Sequence, residues 1–174
     1  ANSGGSGTGN LANKIKLIKV DADDNAITLA NAVFEVTRPD GTKFELTTGT
    51  DGTVTSGALT SGTYKVKEKT APIGYELNRD EYTLQVTSSG GAIQTITNKQ
   101  IKTSVSVEKE WIGQPATSVT VKLLADNVEK ESIVLNAGNN WKHTFNNLPK
   151  HDRIDGHEIV YTVKEEQIAN YDPA

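Results

Sequence analysis

At 174 residues the chain is long enough for one large domain or two modest ones, and 35 % hydrophobic against 23 % charged residues is the balance of a globular protein rather than a disordered one. A net charge of −4 with no clustered Lys/Arg stripe argues against nucleic acid as a partner, and no apolar run approaches the roughly 18 to 20 residues that cross a bilayer. Cys and Met are both absent, which removes disulfides, thiolate metal sites and Cys nucleophiles and suits an oxidising, extracellular setting.

Residues 1–13, opening "ANSGGSGTGN", read as a flexible linker without the charged and apolar regions of a signal peptide, as expected of a soluble piece of a longer chain. Short alternating runs then follow: "KIKLIKV", "AVFEV", "KFELTT", "TYKVKE" and "YTLQV". Turn chemistry at Asp40-Gly41, Asp51-Gly52, Ser61-Gly62 and Gly90-Gly91 separates them, so residues 14–100 form one antiparallel sandwich. After "TITNKQIKT" the pattern restarts with "SVSVEKEW", "SVTVKLLAD", "ESIVLNAG", "WKHTFNNL" and "EIVYTVKEE", giving a second β domain over 101–174. Helical periodicity is weak throughout, and the fold class is all-β.

Both halves carry charges where a strand should be apolar. Side chains alternate between faces along a strand, so Ile15 and Leu17 share a face with Lys19, and Tyr64 and Val66 share one with Glu68. The second half repeats this: Val105 and Val107 align with Lys109, and Tyr161 and Val163 with Glu165. One reading is a structural salt bridge at a sandwich end, or a different register that takes both groups to solvent. The other is chemical. Burying two ions costs several kcal/mol each, and an apolar pair usually serves stability as well. Low dielectric disfavours charged forms, so a buried lysine tends toward a nucleophilic amine and a buried glutamic acid toward a proton-carrying acid. The missing electrophile is a carboxamide held within attack distance, and Asn98, sharing a face with Ile96 in "AIQTITNKQ", is the candidate. Attack by Lys19 on Asn98, with Glu68 moving protons, would release ammonia and leave an isopeptide cross-link.

The stretch "YKVKEKTAPIGYEL" resembles the E-box of Gram-positive pilins: Tyr64, Glu68, Ala71, Pro72, Gly74 and Tyr75 match, while Val66 replaces a leucine and Lys69 a threonine. "KLIKVDADDNAITLANAVFEV" and "TITNK" resemble the first and last strands of the same SpaA-like, Cna-B type domains. "VEKEW", "SVTVKLLAD", "NNWKHTFNNLPKHD" and "YTVKEE" are similar to the B-type repeats of the collagen adhesin Cna. The resemblance implies two tandem transthyretin-like, inverse immunoglobulin sandwiches in a cell-wall-anchored surface stalk or pilus. It implies a Lys19–Asn98 isopeptide bond with Glu68 as the proton shuttle. In the second domain it carries over Lys109 as a nucleophile lacking its amide and Glu165 as its acid. The family's asparagine there lies on a final strand after "NYDPA", so the second domain is expected to lack its last strand, with Asn170 a poor substitute only five residues beyond Glu165.

No cofactor or metal is expected, and the chemistry is a single self-modification rather than enzymatic turnover. "DADDN" starts like an EF-hand loop, but Ala26 stands where the sharp turn needs Gly and Ala32 where a bidentate Glu should be. The "HDRIDGHE" cluster of His151, Asp152, Asp155, His157 and Glu158 reads as a surface loop, and Trp111 and Trp141 as core or rim residues. Three functions fit: a structural stalk or pilin module contacting neighbouring domains or subunits, a module binding a host matrix protein or glycan, and a fragment whose second domain accepts a complementing C-terminal strand from another chain.

Overall fold

The computed structural model describes residues 11–166, and the chain divides after Gln100 into two compact units. The first contains β1 (Ile15–Asp21), β2 (Val33–Thr37), β3 (Lys43–Thr47), β4 (Thr53–Thr55), β5 (Gly62–Thr70), β6 (Glu81–Val86) and β7 (Ala92–Asn98). They form two sheets, ordered β4-β1-β7 and β3-β2-β5-β6. Alternation decides what lies between them. Ile15, Leu17 and Ile96 from one sheet meet Phe34, Val36, Tyr64, Val66, Leu84 and Val86 from the other, all buried. Each such aliphatic or aromatic side chain removed from water contributes about 1.5–3 kcal/mol.

One pairing departs from the antiparallel rule. The first and last strands, β1 and β7, run parallel and adjacent, with Lys19 opposite Ile96 and Asp21 opposite Asn98. The chain therefore enters β1 at one end of the sheet and leaves β7 at the other. The expected linker extends to residue 13; residues 1–10 lie outside the described residues, and Asn13 is already bound to the sandwich, donating from its main-chain nitrogen to Thr87 O and accepting from Leu59 N.

The second unit contains β8 (Lys102–Glu108), β9 (Val119–Ala125), β10 (Val128–Leu135), a short 3-10 turn (Ala137–Asn139), β11 (Lys142–Pro149) and β12 (Tyr161–Glu166). Its sheets are β10-β9-β12 and β11-β8. Leu123, Phe145 and Leu148 form its centre, beside Val119, Val121 and Leu135. Among the described residues β8 pairs only with β11, whereas β1 is flanked on both sides by β4 and β7. The consequence shows in burial: Ile15 and Leu17 are fully buried, while Val105 and Val107 on β8 are half-exposed.

Candidate functional site

The site lies at one end of the first sandwich, where three strands each place a polar side chain in the core. β1 brings Lys19, held by main-chain bonds from its nitrogen to Gly52 O and from Leu29 N to its own oxygen. Gly52 has a positive φ of 77°, and a Cβ there would lie 2.9 Å from Lys19 O, so the turn before β4 can press this closely only as glycine. β5 brings Glu68 from the opposite sheet. Immediately after it the β2–β5 ladder bulges, with Phe34 opposite Glu68 but Val33 opposite Thr70, leaving Lys69 as the extra residue. Such bulges bend a strand and re-aim its neighbours. Pro72 then stops the ladder, Gly74 turns with φ 88°, and the loop from Tyr75 to Asn78 runs back beside the end of β7. β7 brings Asn98.

Lys19, Glu68 and Asn98 are 0 %, 4 % and 2 % exposed. The Lys19 ammonium donates to Ile96 O at 3.0 Å and lies 3.8 Å from Glu68 Oε1. On the other side of the carboxyl, Asn98 Nδ2 donates to Glu68 Oε2 at 2.8 Å and to Glu76 O at 2.8 Å, and the main-chain nitrogen of Asn78 donates to the same Oε2 at 2.7 Å. Glu68 thus stands between the amine and the amide nitrogen, one oxygen turned toward each. Burial pulls the Lys19 amine down to about 8, against the opposing pull of Glu68 and, more weakly, Asp21. Two acceptors, Glu68 Oε1 and Asn98 Oδ1, are buried without a hydrogen bond. Leaving a buried acceptor unpaired costs about 1–3 kcal/mol, so this cluster is poorly explained as a stabilising polar network.

The structure brings Lys19, Glu68 and Asn98 together, and beside them lie two residues that sequence reasoning missed. Asp21, the first residue of "DADDN", is buried and accepts from Tyr75 Oη at 2.7 Å, tying the loop after β5 to β1. Its other oxygen accepts from Asp23 N and Asp24 N, as in a solvated turn. Asn78 lies outside the quoted motif, and only its spacing from Glu68 could have drawn attention to it.

The second unit corrects the expectation of a matching buried pair. Lys109 falls one residue beyond β8, its ammonium 3.0 Å from Glu165 Oε1, and the two side chains are 26 % and 49 % exposed. The pair forms, but at an edge where β8 has no second strand neighbour among the described residues, so water reaches both ends. Lys109 Nζ also lies 4.8 Å from the centroid of Trp111, which meets Trp141 edge-to-face at 5.3 Å. Asn170 lies outside the described residues. In the "HDRIDGHE" loop, His157 holds Asp126 Oδ2 at 2.7 Å through one ring nitrogen and Asp155 through the other, which raises it to about 9.

Residues 13–100 match the SpaA prealbumin-like fold domain, and residues 105–174 match the Cna protein B-type domain. The chain belongs to this family of tandem SpaA and Cna B-type domains. It is 33 % identical to a collagen adhesin of Staphylococcus aureus over 187 aligned residues, covering 95 % of this chain but only 16 % of that protein. The Bacillus anthracis TIE protein is 25 % identical with a TM-score of 0.70, over 88 % of this chain and 28 % of that one. Two B repeat units of the S. aureus collagen-binding protein share the fold at 24 % identity and a TM-score of 0.52, over 89 % of this chain and 44 % of theirs. Both SpaA-like and Cna-B type domains occur in adhesins and pilins of Gram-positive surface proteins, and the all-β, prealbumin-like architecture is common to them. Among the described residues, no helix is long and apolar enough to cross a membrane.

Proposed function

We propose that the first unit cross-links itself through Lys19 and Asn98 and serves as a load-bearing stalk or pilin module on a Gram-positive cell wall. The observation that carries this reading is the arrangement of three buried groups, with Glu68 placed between an amine and a carboxamide nitrogen. As a neutral amine, Lys19 Nζ attacks Asn98 Cγ; the new C–N bond forms, and the proton lost from Nζ passes through the Glu68 carboxyl to Nδ2. The Cγ–Nδ2 bond then breaks and ammonia leaves. Holding the reactants in one buried site supplies the effective concentration that an amide otherwise lacks. The product N–H faces Glu68 Oε1, an acceptor that has no hydrogen bond beforehand.

The parallel β1–β7 pair gives the bond its mechanical purpose. Tension entering at β1 would pass from Lys19 directly to Asn98 and out of the unit, bypassing the strands between. Intact-mass measurement tests the chemistry: the chain should weigh one ammonia less than its sequence, and Lys19→Ala, Glu68→Ala or Asn98→Ala should each restore the sequence mass. An intact chain at full mass would overturn the reading.

A second reading concerns the other unit. Val163, on the inward face of β12 opposite Leu123, is 46 % exposed, and Val105 and Val107 on β8 are only half-buried. These valines, beside Lys109 and Glu165, form an edge suited to an added strand carrying an asparagine, supplied by another chain. A synthetic strand peptide carrying an asparagine that produced no covalent adduct with Lys109 would count against it. Binding of a matrix protein such as collagen is the alternative role suggested by the collagen adhesin relative, of which this chain spans about a sixth.

A further inference from the structure

We propose that Asn78 is the positioning residue of the cross-linking centre, fixing the Glu68 carboxyl and the Asn98 amide relative to one another; this rests on the isopeptide reading above. The loop after β5 follows the end of β7 closely. Tyr75 bridges Gln100, and Glu76 donates from its main-chain nitrogen to Lys99 O at 2.8 Å. Asn78 then fastens the loop with its side chain. Nδ2 donates to Thr97 O at 2.8 Å and to Tyr82 Oη at 3.1 Å, while Oδ1 accepts from Asp80 N at 2.9 Å.

That anchoring places two main-chain groups where the reaction uses them. Asn78 N donates to Glu68 Oε2, and Glu76 O accepts from the nitrogen of Asn98 that must depart. With Oε2 engaged by two donors, the other carboxyl oxygen is left facing Lys19. A rotated carboxyl would present no oxygen to the amine, and a displaced Glu76 carbonyl would free the amide to turn. Beside the anchor lies a cleft of about 320 Å³ bordered by Asn78, Arg79, Asp80, Thr97 and Asn98.

The experiment follows ammonia loss by intact mass in full-length chains made by timed cell-free synthesis and quenched in acid. Asn78→Asp keeps the acceptor for Asp80 N but loses the amide donors, and Asn78→Ala loses both; Arg79→Ala, in the same loop, is the control. Asn78→Asp and Asn78→Ala should slow bond formation about tenfold or more, as misplacement of reacting groups does, while Arg79→Ala keeps the parent rate. A structural readout separates positioning from folding. In a Lys19→Met background, where no bond can form, Asn78→Asp should melt close to its parent while the Asn98 side-chain amide signals shift in nitrogen–proton spectra. Parent-rate bond formation in Asn78→Asp, equal slowing by Arg79→Ala, or unmoved Asn98 signals would overturn the assignment and leave the isopeptide reading intact. A parent chain that never loses ammonia would defeat both.

Discussion

Replacing Lys19 by Met removes the nucleophile with little loss of volume, since both side chains are long and unbranched, and Lys19 is wholly enclosed. Glu68 keeps its donors from Asn98 and Asn78, so the principal change is the missing bond. Joining Lys19 to Asn98 closes a loop of about 80 residues, which in the chain-entropy description of cross-links is worth about 4.5 kcal/mol. For a unit of this size each kcal/mol corresponds to about 4–8 °C of melting temperature, so Lys19→Met should melt about 20–35 °C lower. Its urea m-value should rise, because the unlinked denatured chain expands and exposes more surface. Calorimetry reads the shift, and the sequence offers an internal assignment: Trp111 and Trp141 both belong to the second unit, so tryptophan fluorescence identifies that unit's transition. A parent chain at full sequence mass, or a variant melting with the parent, would refute the reasoning.

The rate of bond formation should follow the neutral fraction of Lys19, which burial brings to about 8: nearly tenfold faster at pH 7 than at pH 6, then levelling above pH 8, as timed mass spectra would show. In Asn98→Ala, where the amine stays free, the unfolded chain holds that proton up to about pH 10.5 while the folded chain releases it near 8. Stability in urea should therefore rise with pH between these values, and a flat or falling profile would refute the assignment. His157 between Asp126 and Asp155 is raised to about 9, so its clasp is complete below its ordinary value near 6.5 and fades as pH passes about 9; a ring titration near 6.5 by proton NMR would contradict this. Pulled from its ends, the first unit should withhold about 80 residues of extension, roughly 270 Å, that single-molecule traces of Lys19→Met recover.

Alternation in "IKLIK" and "YKVKE" was enough to place Lys19 and Glu68 on buried faces, because a period of two leaves a strand only one choice of side once its apolar residues are set. The need for a carboxamide within reach pointed to Asn98, which shares a face with Ile96 at the end of "AIQTITNKQ", and the resemblance of "YKVKEKTAPIGYEL" and "TITNK" to a known family implied the same three residues. The second unit shows where periodicity stops. Lys109 and Glu165 obey the same alternation, yet both are reached by water, Lys109 partly and Glu165 more fully, since burial depends on which strand lies alongside β8 and local sequence does not encode that neighbour. Pairing between β1 and β7, more than 70 residues apart, likewise emerges only when the sheets close.

The sequence by itself determined the strands, their inward residues and the charged side chains they carry, because those follow from local stereochemistry and the aversion of apolar groups to water. Tertiary structure alone decided that an amine from one sheet, a carboxyl from the other and an amide from the last strand converge, and that a loop hydrogen-bonded through Asn78 encloses them. Their distances are set by the packing of two sheets, a collective property that no single segment contains.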